Sequence, residues 1–383
     1  MSNRSKLVVG IVAVVLATFV LTSVGYLYLL QSWSGDALGT LRLIGVMKLV
    51  KARYVEDVPV ETLMNGAIKG VVGSLGDPHS IYMDPRMYKE FMIETEGSFG
   101  GVGIVIGVKD KVLTVVSPIE GTPGDKAGIK SGDQIIKING QDTKDMALDE
   151  AVNKIRGPEG TQVTLSVRRS QEVKDYALTR SNIQIKTVSG KMLPGDIGYI
   201  RLSMFNENTG GDFARKYQEL EKAGMKALIL DLRDNPGGLL EESAKVAGKL
   251  VPKGPIVSVV QRSGQRDTQY SNLEMIKYPL AVLVNGGSAS ASEIVAGAVQ
   301  DTGSGVLVGT KSYGKGSVQT IQRLDGNSAI KLTIAKYYTP KDRSIDGIGI
   351  EPDVKVELPE TRDPNGADVQ LDKAVEVVKS KMQ

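Results

Sequence analysis

Between Leu7 and Leu30 the chain carries no charged side chain. The run is rich in Val, Leu, Ile and Ala. At ~1.5 Å per residue, a helix of that length crosses the ~30 Å hydrocarbon core of a bilayer with some tilt. Arg4 and Lys6 precede the run, and Tyr26, Tyr28 and Trp33 supply interfacial aromatics at its far end. Positive charge ahead of the run places the short N-terminus in the cytoplasm. The remaining ~350 residues then lie outside, on the periplasmic or cell-wall side. Ser32-Trp33-Ser34 is a small-x-small triplet that a signal peptidase would accept. The run is longer than the ~7–15 residues usual in a cleaved signal, which favours an uncleaved, single-pass anchor.

The rest of the 383 residues suffices for two or three domains with their own cores. Side-chain chemistry then narrows the options. There is no cysteine, which removes disulfides, thiolate metal sites, lipid attachment at cysteine and cysteine nucleophiles. A single histidine, His79, removes zinc proteases of the H-E-x-x-H type and leaves one possible base for a Ser-His-Asp triad. His79 sits in Gly76-Asp77-Pro78-His79-Ser80 and reads as a turn residue. A formal charge of +3 gives no reason to expect a nucleic-acid partner.

From Asp36 to about Glu90 apolar residues recur at helical spacing (Leu41, Ile44, Met47, then Leu63, Ile68, Val71), with a break at Glu56–Pro59. Two helices joined by a turn are expected, a spacer or arm through which two copies would pair. From Gly97 to about Arg169 the texture changes to short β runs punctuated by glycine. Gly100-Gly101-Val102-Gly103-Ile104 opens a strand, a helix is expected at Leu148–Arg156, and a last strand at Gln162–Val167. The string Ala127-Gly128-Ile129…Gly132-Asp133-Gln134-Ile135…Ile138-Asn139-Gly140 resembles a PDZ domain. That resemblance implies that the backbone N–H groups of Gly100–Ile104 hold a peptide carboxylate, and that the flanking strand accepts an extended peptide.

From about Ser181 to Glu357 strands alternate with helices: Gly198–Leu202, Thr209–Ala223, Lys226–Leu232, Leu239–Lys249, Leu280–Val284, Ala289–Val299 and Gly305–Val308. Repeated strand, glycine-rich turn and helix indicate an α/β layered core with its site outside the carboxyl ends of strands. No phosphate-binding glycine motif occupies those turns. One turn, Asn285-Gly286-Gly287-Ser288-Ala289-Ser290-Ala291-Ser292-Glu293, places a hydroxyl beside free N–H groups at a helix start. Ser290…Glu293 is equally a capping box, and on this corner alone capping leads. In Tyr313-Gly314-Lys315-Gly316-Ser317-Val318-Gln319, Lys315 reads either as solvated or, with histidine nearly absent, as the base of a serine–lysine dyad.

Taken in order, His79 and its turn, the PDZ string, Leu232-Arg233-Asp234-Asn235-Pro236-Gly237-Gly238, Ser288–Glu293, Tyr313–Gln319 and Gly347-Ile348-Gly349-Ile350-Glu351-Pro352-Asp353 resemble the carboxyl-terminal processing peptidases, or tail-specific proteases. The resemblance implies Ser290 as nucleophile, Lys315 as general base and Gln319 as the residue that orients it. It implies an oxyanion hole from the N–H of Ala291 and of Gly237, with Gly238 second, and suggests Arg156 as a link from PDZ to catalysis. No metal or cofactor is called for. The expected α/β multidomain chain comprises a stub and transmembrane anchor (1–35), a helical region (36–90), a PDZ domain (91–180), a serine peptidase core (181–357), and a C-terminal linker and helix (358–383). It would cleave proteins that present a free C-terminus. The competing readings are a catalytically silent PDZ adaptor or peptide-binding chaperone, in which Ser290 only caps a helix, and an acyl-transfer enzyme on small esters.

Overall fold

The computed structural model describes residues 3–357 and 368–382. The linker expected from residue 358 onward lies, up to residue 367, outside the described residues. The chain divides into two compact units, Met1–Tyr82 and Met83–Gln383.

In the first unit a helix runs from Asn3 to Ser34. Its stretch Val9–Leu29 has a mean hydropathy of 2.2 with none of it buried, which fits a signal anchor or membrane span. Two further helices follow, Ala37–Arg53 and Val60–Gly73. Asp36 caps the first by accepting the Gly39 N–H at 2.9 Å. The helical pattern is then interrupted. Gly76 takes a φ of +64°, and Asp77 accepts the His79 N–H at 2.9 Å and the Ser80 hydroxyl at 2.6 Å. This Asx turn around a proline, where the sequence reads as a turn, leads into the extended stretch Ile81–Met83.

The second unit opens with the helix Pro85–Glu96, which has Asp84 as its cap and Gly97 in the left-handed region at its end. The run expected as one strand from Gly100 is split. Ser98–Gly101 pairs with Ser181–Gln184, whereas Ile104–Lys109 is the edge strand of a PDZ sheet. The chain changes direction at Gly103, with φ +70°. The PDZ sheet continues through Val112–Pro118, Gln134–Ile138, Gln162–Arg169 and Glu172–Thr179, all antiparallel. Helix Leu148–Ile155 packs Ala151 and Ile155 onto Ile135, Ile138, Leu165 and Val167.

The larger layer is a six-stranded sheet in the order Val188–Leu193, Ile197–Leu202, Ala227–Asp231, Leu280–Val284, Val306–Gly309, Val354–Lys355. The first pair is antiparallel and the others parallel. Leu228, Leu230, Val282 and Val284 face helices Thr209–Lys222, Leu240–Ala247 and Ala291–Thr302. Ile229, Ala281 and Leu283 face the C-terminal helix Val369–Lys381, which buries Ala374 and Val378 against them. Burial on both faces explains the uninterrupted apolar run in these strands. Beside this layer, Gly254–Gln261, Arg266–Ser271, Ser317–Arg323 and Ala329–Tyr338 pair antiparallel.

Asp133 is the anchor of the PDZ turns. It is 1% exposed, and accepts Arg169 Nε and Nη2 at 2.7 Å each and the Lys130 N–H at 2.8 Å. Burial raises its pKa, but the Arg169 bonds and the Lys130 N–H outweigh this and hold it below 3.8. A depressed carboxyl contributes its stability above the ordinary value and loses it as pH falls through the folded one. Asp133→Asn should therefore lower the Tm of the PDZ transition at pH 7. In calorimetry the difference from wild type should shrink in acid; a difference independent of pH would contradict this.

Candidate active site

Three neighbouring parallel strands end on the same side of the sheet, and each is followed by a turn that carries chemistry. Ala227–Asp231 leads into Arg233–Gly238, Leu280–Val284 into Asn285–Ser290, and Val306–Gly309 into the segment holding Lys315. The fold thus places the site where open α/β sheets hold ligands.

At the middle turn, Ser290 takes φ 54° and ψ −114° before the helix begins. An ordinary N-cap residue sits in the β region, and a non-glycine residue held here costs about 1–3 kcal/mol. Its neighbours are committed to the scaffold. The Ser288 hydroxyl donates to the Leu232 carbonyl at 2.8 Å, and the Ser292 hydroxyl to the Asn235 carbonyl at 2.9 Å. Both side chains are fully buried, whereas Ser290 is half-buried. Glu293 closes its half of the capping box by accepting the Ser290 N–H at 2.8 Å. The Glu293 N–H reaches the Ser290 carbonyl, also at 2.8 Å, so the helix start keeps a partner if the hydroxyl turns to other work.

Glu293 does more than cap. Its Oε2 also accepts the Lys315 N–H at 2.9 Å, while Oε1 accepts the Gly314 N–H at 2.7 Å and the Ser312 hydroxyl at 2.6 Å. One oxygen therefore joins the backbone of Ser290 to that of Lys315. Burial pushes the Glu293 carboxyl up, and the four donors oppose that shift. A second tie comes from Tyr337, 1% exposed. Its hydroxyl donates to the Lys315 carbonyl at 2.6 Å and lies 3.1 Å from that of Ser290. Burial holds this phenol well above its ordinary pKa, so it remains a donor. The Gln319 amide NH₂ donates to Ser317 Oγ at 2.9 Å and Thr333 Oγ1 at 3.2 Å. Its carbonyl end is therefore turned away from both.

The glycine turn lies against the serine corner. A Cβ on Gly237 would come within 2.8 Å of Ser290 Cβ and 2.9 Å of the Ala291 nitrogen, so only glycine fits. The Gly237 N–H is taken by Asn235 Oδ1 at 2.9 Å. The N–H groups of Gly238 and Ala291 have no acceptor among the described residues. Asn235 itself accepts the Ala289 N–H on its carbonyl at 3.0 Å. Neither its role nor those of Tyr337 and Glu293 is evident from sequence: the first lies inside a turn motif, the second has no motif, and the third resembles a simple cap.

In the PDZ part, a groove of about 520 Å³ runs between Ile104–Ile106 and the helix residues Val152 and Ile155, with Arg156 just past the helix end. Gly100 and Gly101 are engaged in strand pairing. The N–H groups of Val102 and Gly103 have no acceptor among the described residues. Arg156 pairs with Glu90 at 3.0 Å and lies 4.4 Å over the Phe99 ring.

A serine hydroxyl thus stands on a strained strand-to-helix corner in an α/β layer joined to a PDZ domain. Residues 196–356 match Peptidase family S41, residues 114–169 a PDZ domain, and residues 39–87 the Activating protease CtpB N-terminal domain. A Carboxy-terminal-processing protease of Bartonella bacilliformis is 43% identical over 336 residues, 85% of this chain and 77% of that protein. Carboxy-terminal processing protease CtpA of Bacillus subtilis is 38% identical over 92% of this chain and 76% of its own length. Among solved structures, the photosystem II D1 C-terminal processing protease superposes with a TM-score of 0.50 at 30% identity. That match covers 89% of this chain and 97% of the other. The chain belongs to peptidase family S41, among the carboxy-terminal processing proteases.

Glu293→Gln tests the shared carboxylate directly. The amide keeps the shape but turns an NH₂ toward N–H donors. It should cost about 1.5–3 kcal/mol in a denaturation series and lower kcat/KM at least about tenfold in the folded fraction. Wild-type turnover in a folded variant would contradict it.

Proposed function

We propose that this chain is a membrane-anchored endopeptidase acting outside the cytoplasm, which takes the free C-terminus of a protein into its PDZ groove and cuts with a Ser290–Lys315 dyad. The observation that carries the reading is the single Glu293 oxygen that holds the backbone at both Ser290 and Lys315. In this reading Ser290 Oγ attacks the scissile carbonyl and neutral Lys315 takes its proton. The oxyanion accepts the N–H of Ala291 and, in preference to Gly237 whose N–H is already used, that of Gly238. As the C–N bond breaks, Lys315 returns the proton to the leaving amine; it then deprotonates the water that hydrolyses the acyl-enzyme. Gln319, with its NH₂ committed elsewhere, offers its carbonyl oxygen to orient the lysine. A silent adaptor would have no use for the strained backbone at Ser290, because capping does not require it.

Lys315→Ala should reduce kcat/KM by several orders of magnitude, about as far as Ser290→Ala, since the two act as a unit. Lys315→Arg should fail as badly, because arginine does not release its proton near neutrality. His79→Ala should retain turnover. A folded, active Lys315→Ala would overturn the dyad.

The groove makes a separate claim. Carboxylate capture by the Val102 and Gly103 N–H groups predicts that peptides amidated at the C-terminus bind at least about tenfold more weakly than free acids. Arg156→Ala should reduce binding of both forms, as it lines the groove. Equal binding and cleavage of acid and amide would sink the recognition claim.

A further inference from the structure

Arg233 leaves the strand Ala227–Asp231 two residues before Asn235, with its side chain 9% exposed. The guanidinium donates to Asp231 from Nε at 3.0 Å and from Nη2 at 2.7 Å. On its other side it donates to Asp368 from Nη1 and Nη2, at 2.8 Å each. Gln370, fully buried, accepts a further Nη1 bond at 3.2 Å. Asp368 and Gln370 belong to the C-terminal helix region, far along the chain. Asp368 is also the helix cap, accepting the Leu371 N–H at 3.1 Å, and Gln370 is fixed by donating to the Val356 carbonyl at 2.8 Å. Burial disfavours the charge on Arg233, but its bonds to Asp231 and Asp368 more than offset this, so the fork stays ionised.

The glycine turn begins directly after Arg233. Asp234, at φ 59°, donates its N–H to Asn285 Oδ1 at 2.9 Å. Asn235 then gives its carbonyl to the Ala289 N–H and the Ser292 hydroxyl, and its side-chain oxygen to the Gly237 N–H. The turn is therefore held at three places: by the C-terminal helix at Arg233, by the serine corner at Asn235, and by Phe205, whose N–H donates to the Gly237 carbonyl and whose carbonyl accepts the Leu239 N–H, both at 2.8 Å.

We propose that the C-terminal helix is a positioning element of the active site, in which Asp368 and Gln370 fix Arg233 and so set where the Gly238 N–H points. This rests on the reading of Gly238 as an oxyanion donor in a Ser290 peptidase. Asp368 touches no substrate; it acts through Arg233. Truncation would uncover the sheet face under Ala374 and Val378, so a point substitution is the proper probe. Asp368→Ser keeps a capping oxygen for Leu371 but loses the paired contact with Arg233.

The test uses the full chain with Asp368→Ser, Asp368→Glu and Ser290→Ala. It measures kcat and KM on one free-acid peptide, and the Ki of a peptide aldehyde that forms a tetrahedral adduct on the nucleophile. Asp368→Ser should lower kcat about tenfold with KM unchanged and weaken the aldehyde by a similar factor, as a displaced oxyanion donor would. Asp368→Glu should recover most of both. Unchanged kcat and Ki per folded molecule, counted by circular dichroism, would overturn the proposal, as would a loss confined to KM. Wild-type-like activity in Ser290→Ala would instead overturn the reading of Ser290 as nucleophile on which it rests. If Asp368→Ser fails to fold, Asp368→Asn is measured in the same way, with the same expected split.

Discussion

Glu293 is fully buried, where an unpaired carboxylate would be expensive, and the protein meets that cost by supplying four donors from two segments. The Ser290 N–H comes from the helix start. The N–H groups of Gly314 and Lys315 and the Ser312 hydroxyl come from the loop after the next strand. Neither segment can shift without orphaning part of the carboxylate. The need to satisfy one buried charge thus fixes the relative position of the two residues assigned to the reaction. Tyr337 adds a second cross-tie by its buried hydroxyl.

That arrangement is available because of the sheet. Parallel pairing of Ala227–Asp231, Leu280–Val284 and Val306–Gly309 brings three consecutive turns to one edge. The first two of these turns are stitched together by hydrogen bonds. Asn285 accepts the Asp234 N–H, Ser288 donates to Leu232, and Asn235 receives Ala289 and Ser292. The strain stored at Ser290 persists because these bonds over-determine the corner. On the opposite face, the C-terminal helix completes the sheet's burial and reaches the same turns through Arg233.

The parts legible in the sequence are those whose physics is local. The uncharged run forms an apolar helix, unburied over Val9–Leu29, and the doubly buried strands Ala227–Asp231 and Leu280–Val284 appear as near-continuous apolar runs. Ser290 and Lys315 sit in glycine-rich strings that the sequence singles out, and both segments follow neighbouring strands, whereas Gln319 comes only from the family resemblance. Less legible is anything decided by tertiary contact. Glu172–Thr179 is a PDZ strand with Leu178 its one buried residue, so alternation does not reveal it. Glu293 has the pattern of a cap, and only the fold brings the Lys315 loop to it. Asp368 meets Arg233 across 135 positions of sequence, a separation at which no local pattern operates. The C-terminal helix is expected from sequence but its docking on the sheet is not, because only Gln370, Ala374 and Val378 of it are buried.

The central claim is that the geometry makes Ser290 a nucleophile whose reactivity depends on Lys315. Reaction of the full chain with a fluorophosphonate, followed by peptide mapping by mass spectrometry, tests it most directly. One stoichiometric adduct on Ser290 is expected in the wild type, with labelling slowed by orders of magnitude in folded Lys315→Ala. An adduct on another serine, or equal labelling rates with and without Lys315, would contradict it.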